Sequence, residues 1–325
     1  MRIFVIKSVK LLLLFVALIW IFGFYLEYQF TKDNSDKFNW LRNKENNSYN
    51  YAFIGSSRVD NMIEISLIDK VLKTKGINLG IDGVDFRTMY MILYSFLEIQ
   101  DNKIGELYIQ VDPFMLYKDS VYNKPNYDHY FYDKINYEEI KSSITENNRL
   151  YFYNIFPALK YAEFNSVYNL TLFIRSFSKI SKWDSTRGSS LSYNQIPFNP
   201  EPILQNKTFN KYIKFNEEDK AYLFKILDLC SKNSIQPVFY GAPIYEYVLR
   251  FKPSYPNFHK EIILLANEFN IEYLNFMEEN YDKSFFRDRT HMNYKGSINF
   301  TEKLIKVRAE NILGNKAMMN PQNRQ

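Results

Sequence analysis

The feature that most constrains the fold is an alternation of short apolar runs with longer segments of helical period. Short apolar runs predict β-strands at residues 51–54, 77–79, 106–111, 235–240 and 271–274. Apolar residues near helical spacing predict helices at residues 58–73, 86–99, 216–232, 258–269 and 293–312. Strands that alternate with helices form a parallel sheet covered on both faces. The sequence therefore predicts an α/β fold with a doubly wound parallel sheet.

One long segment, residues 113–215, lacks this alternation and is rich in Tyr, Phe, Asn and Ser. A structureless loop of that length is implausible inside a compact domain. We expect an inserted, mainly helical subdomain with helices at 136–145 and 150–180. It would fold over the carboxyl edge of the sheet, where open α/β sheets bind ligands. The α/β domain is then expected to span residues 49–312, followed by a polar tail at 313–325.

The amino terminus is strongly apolar, and no charge interrupts the stretch from Leu11 to Leu26. At ~1.5 Å per residue this stretch is slightly shorter than the ~30 Å hydrocarbon core, and flanking lysine and aromatic side chains extend it. A cleaved signal peptide would need small residues at a cleavage site, whereas the sequence FGFYLEYQF at 22–30 is bulky. Residues 1–30 are therefore predicted to be an uncleaved signal anchor that contacts the membrane through residues 11–30.

The charges beside this segment predict its orientation. Arg2, Lys7 and Lys10 precede the apolar stretch without an acidic residue, and mixed charges follow it. The positive-inside rule then places the amino terminus in the cytoplasm. We expect a single-pass protein of the bacterial cytoplasmic (inner) membrane, with a juxtamembrane linker at 31–48 and an extracytoplasmic or periplasmic domain.

Composition excludes several classes of function. Lys and Arg total 41 against 36 Asp and Glu, and this scattered surplus does not indicate a nucleic-acid-binding protein. The single cysteine, Cys230, excludes an intramolecular disulfide framework and a thiolate metal cluster. No histidine has a second ligand at metal-binding spacing on the same element, so neither a metal nor a cofactor is expected. The aromatic content of 18% fits either coding bias or a sugar-binding surface.

The first candidate for chemistry is the turn Gly55-Ser56-Ser57, where the first strand ends and a helix begins. A serine at this position exposes its hydroxyl at the mouth of the sheet, and its backbone N–H can hold an oxyanion. The alternative is structural, because Ser57 followed by Asp60 also fits a capping box. For this segment alone, the capping interpretation is the stronger one.

Two further segments follow later strands. Asn78 to Gly83 follows the second strand, where a glycine either donates a backbone N–H to an oxyanion or simply makes a turn. Asp288 precedes His291 by three residues, just before the last helix. Ser–His chemistry needs a histidine oriented by a carboxylate, and this spacing can present both side chains together. The alternative is a surface histidine at a helix entrance.

In this order, the three segments resemble the SGNH (GDSL-type) hydrolase superfamily over residues 50–112 and 216–312. The resemblance implies a three-layer, flavodoxin-like fold in which Ser57 is the nucleophile and Ser56 replaces the family's aspartate. It also implies that His291 is the base, that Asp288 is its partner, and that Ser57 and Gly83 donate N–H groups to the oxyanion. The family's third block is missing, because Asp112 and Pro113 follow the third strand where an asparagine is expected.

An anchor combined with these motifs resembles membrane-anchored SGNH-like proteins of cell-envelope acylation, such as those of teichoic-acid D-alanylation and alginate O-acetylation. The resemblance implies acyl transfer or ester hydrolysis on a cell-envelope polysaccharide or another acyl acceptor, with O-acetyl as the favoured group. A multispanning membrane O-acyltransferase is the implied partner. Two alternatives stay open: a non-catalytic SGNH-like scaffold for polysaccharide assembly, and a plain interaction protein whose motif matches arise by chance.

Overall fold

The computed structural model describes residues 2–32, 36–113, 155–159, 182–193, 217–245, 255–288 and 290–318. The chain divides into two compact units. One contains residues 1–45, 94–100 and 125–183, and the other contains residues 46–93, 101–124 and 184–325. The second unit holds the sheet and all the candidate site residues.

The first unit begins with a long apolar helix, α1 (Arg2–Lys32). Its segment Arg2–Tyr28 is long and apolar enough to cross a membrane, and it is almost entirely exposed. This finding fits a single-pass membrane anchor. The segment predicted to be a linker contains a second helix, α2 (Lys37–Arg42), which Asp36 caps through its side chain. Trp40 is buried there, and Gln100 donates from Nε2 to the Leu41 carbonyl at 3.0 Å.

The second unit is built on a five-stranded parallel sheet in the order β2-β1-β3-β4-β5, which confirms the predicted fold class. The strands are β1 (Ser48–Ile54), β2 (Gly76–Asn78), β3 (Lys103–Gln110), β4 (Gln236–Gly241) and β5 (Glu272–Asn275). The helices are α3 (Ser57–Met62), α4 (Ile65–Leu72), α5 (Phe86–Tyr94), α6 (Trp183–Thr186), α7 (Glu217–Lys232), α8 (Tyr255–Glu268) and α9 (Tyr294–Met318). A π-helical turn at Ser95–Ile99 extends α5, and a 3-10 turn lies at Lys283–Phe285.

Alternating side chains bury both faces of the sheet. Phe53, Tyr108 and Tyr240 point to one face, where they pack with residues of α3, α4 and α9 in one core cluster. Their strand neighbours, such as Ile54 and Ile109, are also buried, so helices must cover the opposite face as well. This arrangement explains why the last four residues of β1, β3 and β4 are all buried, whereas their first residues are exposed or half-buried.

Two elements differ from those predicted from the sequence. The helix predicted over 58–73 is interrupted, because Ile63 adopts an extended conformation and Glu64 caps a new helix by accepting from Ser66 N. The last helix extends to Met318, past the predicted end at 312. The break between α3 and α4 cannot be predicted from apolar periodicity, because apolar residues continue across it.

The predicted insertion, 113–215, lies mostly outside the described residues, and so do the predicted helix at 136–145 and most of that at 150–180. Residues 113, 155–159 and 182–193 of this segment are described, and the last of these ranges contacts the edge strand β2. The Arg187 carbonyl accepts from Asn78 N at 2.9 Å, and Ser190 N donates to the Asp60 carbonyl at 2.8 Å. The first bond occupies a backbone N–H of the edge strand β2, which would otherwise be open, and the second joins the segment to α3.

Candidate active site

The turn after β1 places Ser57 at the carboxyl edge of the sheet, between the ends of β1 and β3. The strand order reverses at this point, because β2 lies on one side of β1 and β3 on the other. Ser56 is the N-cap of α3, but its side chain makes no capping bond. Ser57 is therefore the first helical residue rather than the cap, and its hydroxyl is available for another contact.

That contact is with His291, 234 positions along the chain. Ser57 Oγ lies 2.7 Å from His291 Nε2. Two bonds hold the start of α9 against the α3 region: Ser297 Oγ donates to the Asn61 carbonyl at 3.1 Å, and Glu64 N donates to Thr301 Oγ1 at 3.1 Å. Helix packing thus brings the histidine loop to the serine turn.

A tight loop before α9 presents Asp288 and His291 together. Arg287 N donates to the His291 carbonyl at 2.9 Å, and Phe286 pairs with Met292 in an antiparallel bridge. Both Asp288 carboxylate oxygens lie 2.9 Å from His291 Nδ1. When Nδ1 carries the proton that meets this carboxylate, the lone pair of Nε2 faces Ser57 Oγ. This is the arrangement in which imidazole can accept a serine proton.

Asp288 is held in the ionised state. Burial favours the neutral form, but hydrogen bonds and charge from His291, together with backbone N–H donors, outweigh it, so that the pKa of Asp288 lies well below its usual value. Oδ1 accepts from both Thr290 N and His291 N at 2.9 Å. The same carboxylate therefore fixes the loop and orients the imidazole.

The second predicted segment lies beside the serine turn. Ile81 N donates to the Gly55 carbonyl at 3.0 Å, and Gly83 adopts a φ of 72°, which favours glycine. Within the described ranges, no group accepts from the backbone N–H of Ser57 or of Gly83. Asn78 is structural: it is fully buried, donates from Nδ2 to the Val59 carbonyl and accepts from Gly80 N.

A buried polar cluster lies behind the turn and was not predicted from the sequence. Gln110 Oε1 accepts from Ser56 N at 2.8 Å and from Ser56 Oγ at 3.2 Å. Gln110 Nε2 donates to Asp112 Oδ2, and the same carboxylate pairs with Arg58. Asp112 stands where the third block would supply an asparagine, and a carboxylate has no N–H to offer an oxyanion. The only signal of this cluster in the sequence is that polar residues follow the apolar run at 107–109.

The chain contains two further histidines. His259 lies on α8 near Tyr273, and His129 lies outside the described residues. In the described part of the chain, no group of three or more His, Cys, Asp or Glu side chains is arranged to hold a metal ion.

Comparison with known families agrees with the motifs. Residues 194–307 match the family model of the DltD protein. The matched segment contains Asp288 and His291, whereas Ser57 precedes it. The match confirms the predicted resemblance to membrane-anchored SGNH-like proteins of cell-envelope acylation. A search among curated proteins found no match to the chain.

Proposed function

We propose that this protein transfers or hydrolyses acyl esters on a cell-envelope polysaccharide, with Ser57 as the nucleophile. The main support is the arrangement of Ser57, His291 and Asp288. The serine oxygen lies within hydrogen-bond distance of one imidazole nitrogen, and the carboxylate lies within hydrogen-bond distance of the other. The DltD match supports an envelope role and adds a D-alanyl group to acetyl as a candidate acyl group. The apolar helix α1 supports attachment of the chain to a membrane.

The proposed reaction has two steps. Ser57 Oγ attacks the acyl carbonyl carbon while His291 Nε2 takes the serine proton, and His291 then gives that proton to the leaving group. An acyl ester of Ser57 forms, and the donor's bond to the acyl group breaks. A sugar hydroxyl, or water in an esterase, next attacks the ester carbonyl while His291 takes its proton. The bond from the acyl carbon to Ser57 Oγ then breaks, and His291 returns the proton to Oγ, so that Ser57 is regenerated.

The backbone N–H groups of Ser57 and Gly83 are the proposed oxyanion donors. The N–H of Ser57 opens α3, and that of Gly83 lies in a loop bonded to the Gly55 carbonyl. Both groups are without an acceptor in the described part of the chain, so they are available to a developing negative charge. Because these donors belong to the backbone, side-chain substitutions elsewhere in the loops should leave them in place.

One observation favours the alternative of a non-catalytic scaffold. Asp112 occupies the third-block position and engages Arg58 and Gln110, so this position supplies no oxyanion donor. A protein that kept the fold without turnover would still use the carboxyl edge of the sheet as a binding surface. The assay below separates the two functions.

Turnover by matched serine variants tests the proposal. We would measure hydrolysis of p-nitrophenyl acetate by the full chain in detergent, and transfer from acetyl and D-alanyl thioesters to a polysaccharide hydroxyl. Ser57→Ala should lower kcat by up to ~10⁶-fold, as expected for loss of a nucleophilic serine. Ser56→Ala is the control, since it removes a neighbouring hydroxyl but leaves Ser57 and His291 in contact. Equal activity in wild type and Ser57→Ala, or no turnover of any donor by folded wild type, would contradict the proposed enzymatic function.

The proposed orientation has its own test. An extracytoplasmic domain requires that externally added protease digest residues 46–318 in intact spheroplasts, while the full-length chain fractionates with membranes. The basic residues before α1 motivate this expectation. A protected domain, or a shortened soluble form released from cells, would contradict it.

A further inference from the structure

The buried cluster behind the serine turn consists of Gln110, Asp112 and Arg58, and it connects to Ser56. Their exposed fractions are 1% for Gln110, 0% for Asp112 and 3% for Arg58. All three belong to the elements that meet at the candidate site, since Gln110 ends β3 and Arg58 follows Ser57 in α3. Buried polar groups are costly unless they are hydrogen-bonded, so a cluster at this depth calls for a structural or functional reason.

Gln110 is the member that reaches the nucleophile turn. Its Oε1 accepts two bonds from Ser56, one from the backbone N–H at 2.8 Å and one from the hydroxyl at 3.2 Å. The turn fits closely against this side chain: a Cβ on Gly55 would lie 2.6 Å from Gln110 Cβ and closer still to Oε1. Gln110 therefore fixes the Gly55–Ser56 peptide unit and the Ser56 side chain, one residue before Ser57.

Asp112 and Arg58 hold Gln110 in one orientation. Because Asp112 Oδ2 accepts from Gln110 Nε2, the amide must present Oε1, and not its NH₂ group, to Ser56. Arg58 pairs with the same carboxylate and neutralises it inside the protein. The pair also ties the first turn of α3 to the end of β3, so both sides of Ser57 are anchored.

We infer that Gln110, oriented by the Asp112–Arg58 pair, is a positioning residue that sets Ser57 Oγ against His291. This cluster occupies the end of β3, where the SGNH motif would place its third block, and it supports the nucleophile from behind instead of donating to the oxyanion. The inference rests on the proposed function, because it assigns the cluster a role in the same acyl transfer.

The test compares two matched glutamine variants. Gln110→Met keeps the length of the side chain and removes its hydrogen bonds. Gln100→Met makes the same change at a glutamine with an exposed fraction of 3% that donates to the Leu41 carbonyl. We would measure kcat and KM for p-nitrophenyl acetate, the rate of fluorophosphonate labelling at Ser57, and thermal unfolding.

Gln110→Met should lower kcat and the labelling rate ~10²-fold with KM nearly unchanged, because a displacement of about 1 Å is enough for such a loss. Gln100→Met should lower the unfolding temperature without changing kcat. Gln110→Asn, one methylene shorter, should show the same loss of kcat and decides the question if the Met variant does not fold. Wild-type kcat in a folded Gln110 variant, or a rise in KM alone, would overturn the inference.

Failure of the proposed function gives a different result. If folded wild type neither hydrolyses p-nitrophenyl acetate nor takes the fluorophosphonate label, the proposed enzymatic function fails. Hydrogen exchange of the Ser56 amide then tests its contact with Gln110 without reference to activity. Exchange should be slow in wild type and in Gln100→Met, and at least tenfold faster in Gln110→Met. Equal protection in all three proteins would overturn the inference independently of activity.

Discussion

Asp288→Asn isolates the step by which a carboxylate orients the imidazole. The substitution keeps the size of the side chain and one oxygen, which can still accept from Thr290 N and His291 N. The other oxygen becomes an NH₂ group next to His291 Nδ1, where the carboxylate oxygen now lies at 2.9 Å. The retained oxygen also lies 2.9 Å from Nδ1, but it already accepts from two backbone N–H groups. The new NH₂ donor therefore favours the imidazole tautomer with its proton on Nε2, which cannot accept the Ser57 proton.

The expected loss follows from this tautomer. The same exchange in a Ser-His-Asp enzyme lowers kcat by about 10⁴-fold, which corresponds to ~5.5 kcal/mol of transition-state stabilisation. Stability should change little, because the Asp288 side chain is 39% exposed and ion pairs at such sites contribute roughly 1 kcal/mol or less. The effect on turnover should therefore greatly exceed the effect on folding.

The assay compares p-nitrophenyl acetate turnover and thermal unfolding of wild type, Asp288→Asn and Asp282→Asn. Asp282 is a matched control, because it accepts from Ser284 N in a similar local turn and does not contact His291. Asp282→Asn should retain wild-type kcat. A kcat for Asp288→Asn within tenfold of wild type, in protein of wild-type stability, would refute the assigned role.

Three further expectations follow from the same structure. Because the pKa of Asp288 is lowered in the folded state, the ionised carboxylate stabilises the fold fully above about pH 4 and progressively less below it. The difference in free energy of unfolding in urea between wild type and Asp288→Asn should therefore shrink as pH falls from about 4. A growing difference would contradict this. The methyl group of Gly55→Ala would collide with Gln110 and Val59, so this variant should lose ~1–3 kcal/mol of unfolding free energy and label more slowly with fluorophosphonate at Ser57. Gly76→Ala is the control: its methyl group would collide with Tyr51, away from the site, so it should destabilise the fold without slowing the labelling. Burial raises the pKa of the Cys230 thiol to about 12, so a thiol reagent should label it only after unfolding; rapid labelling of native protein would contradict its placement.

The sheet was predictable because its strands are short, apolar and separated by segments of helical period. Runs around Phe53 and Val238 cannot be buried except in a sheet covered on both faces. The break between α3 and α4 was not predictable in this way, since it depends on the Glu64 side chain and on Thr301 from α9. Tertiary contacts override periodicity there.

The candidate site was predictable as far as its motifs extend. Ser57, Asp288 and His291 are residue types whose chemistry and local spacing are visible in the sequence. The support behind them was not, because Gln110 and Arg58 become neighbours only when β3 lies beside β1. A lone glutamine at the end of a strand carries no local signal, and its role appears only in the folded structure.

The residue that an acylating or phosphonylating reagent modifies identifies the nucleophile. Full-length protein would be treated with a fluorophosphonate, and in parallel with an activated acetyl ester, then digested and mapped by mass spectrometry. We expect a single adduct, on Ser57, in wild type. It should be lost in Ser57→Ala and form much more slowly in His291→Ala, because His291 Nε2 lies 2.7 Å from the reacting oxygen. An adduct on Ser56, or the absence of any adduct in folded wild type, would contradict it.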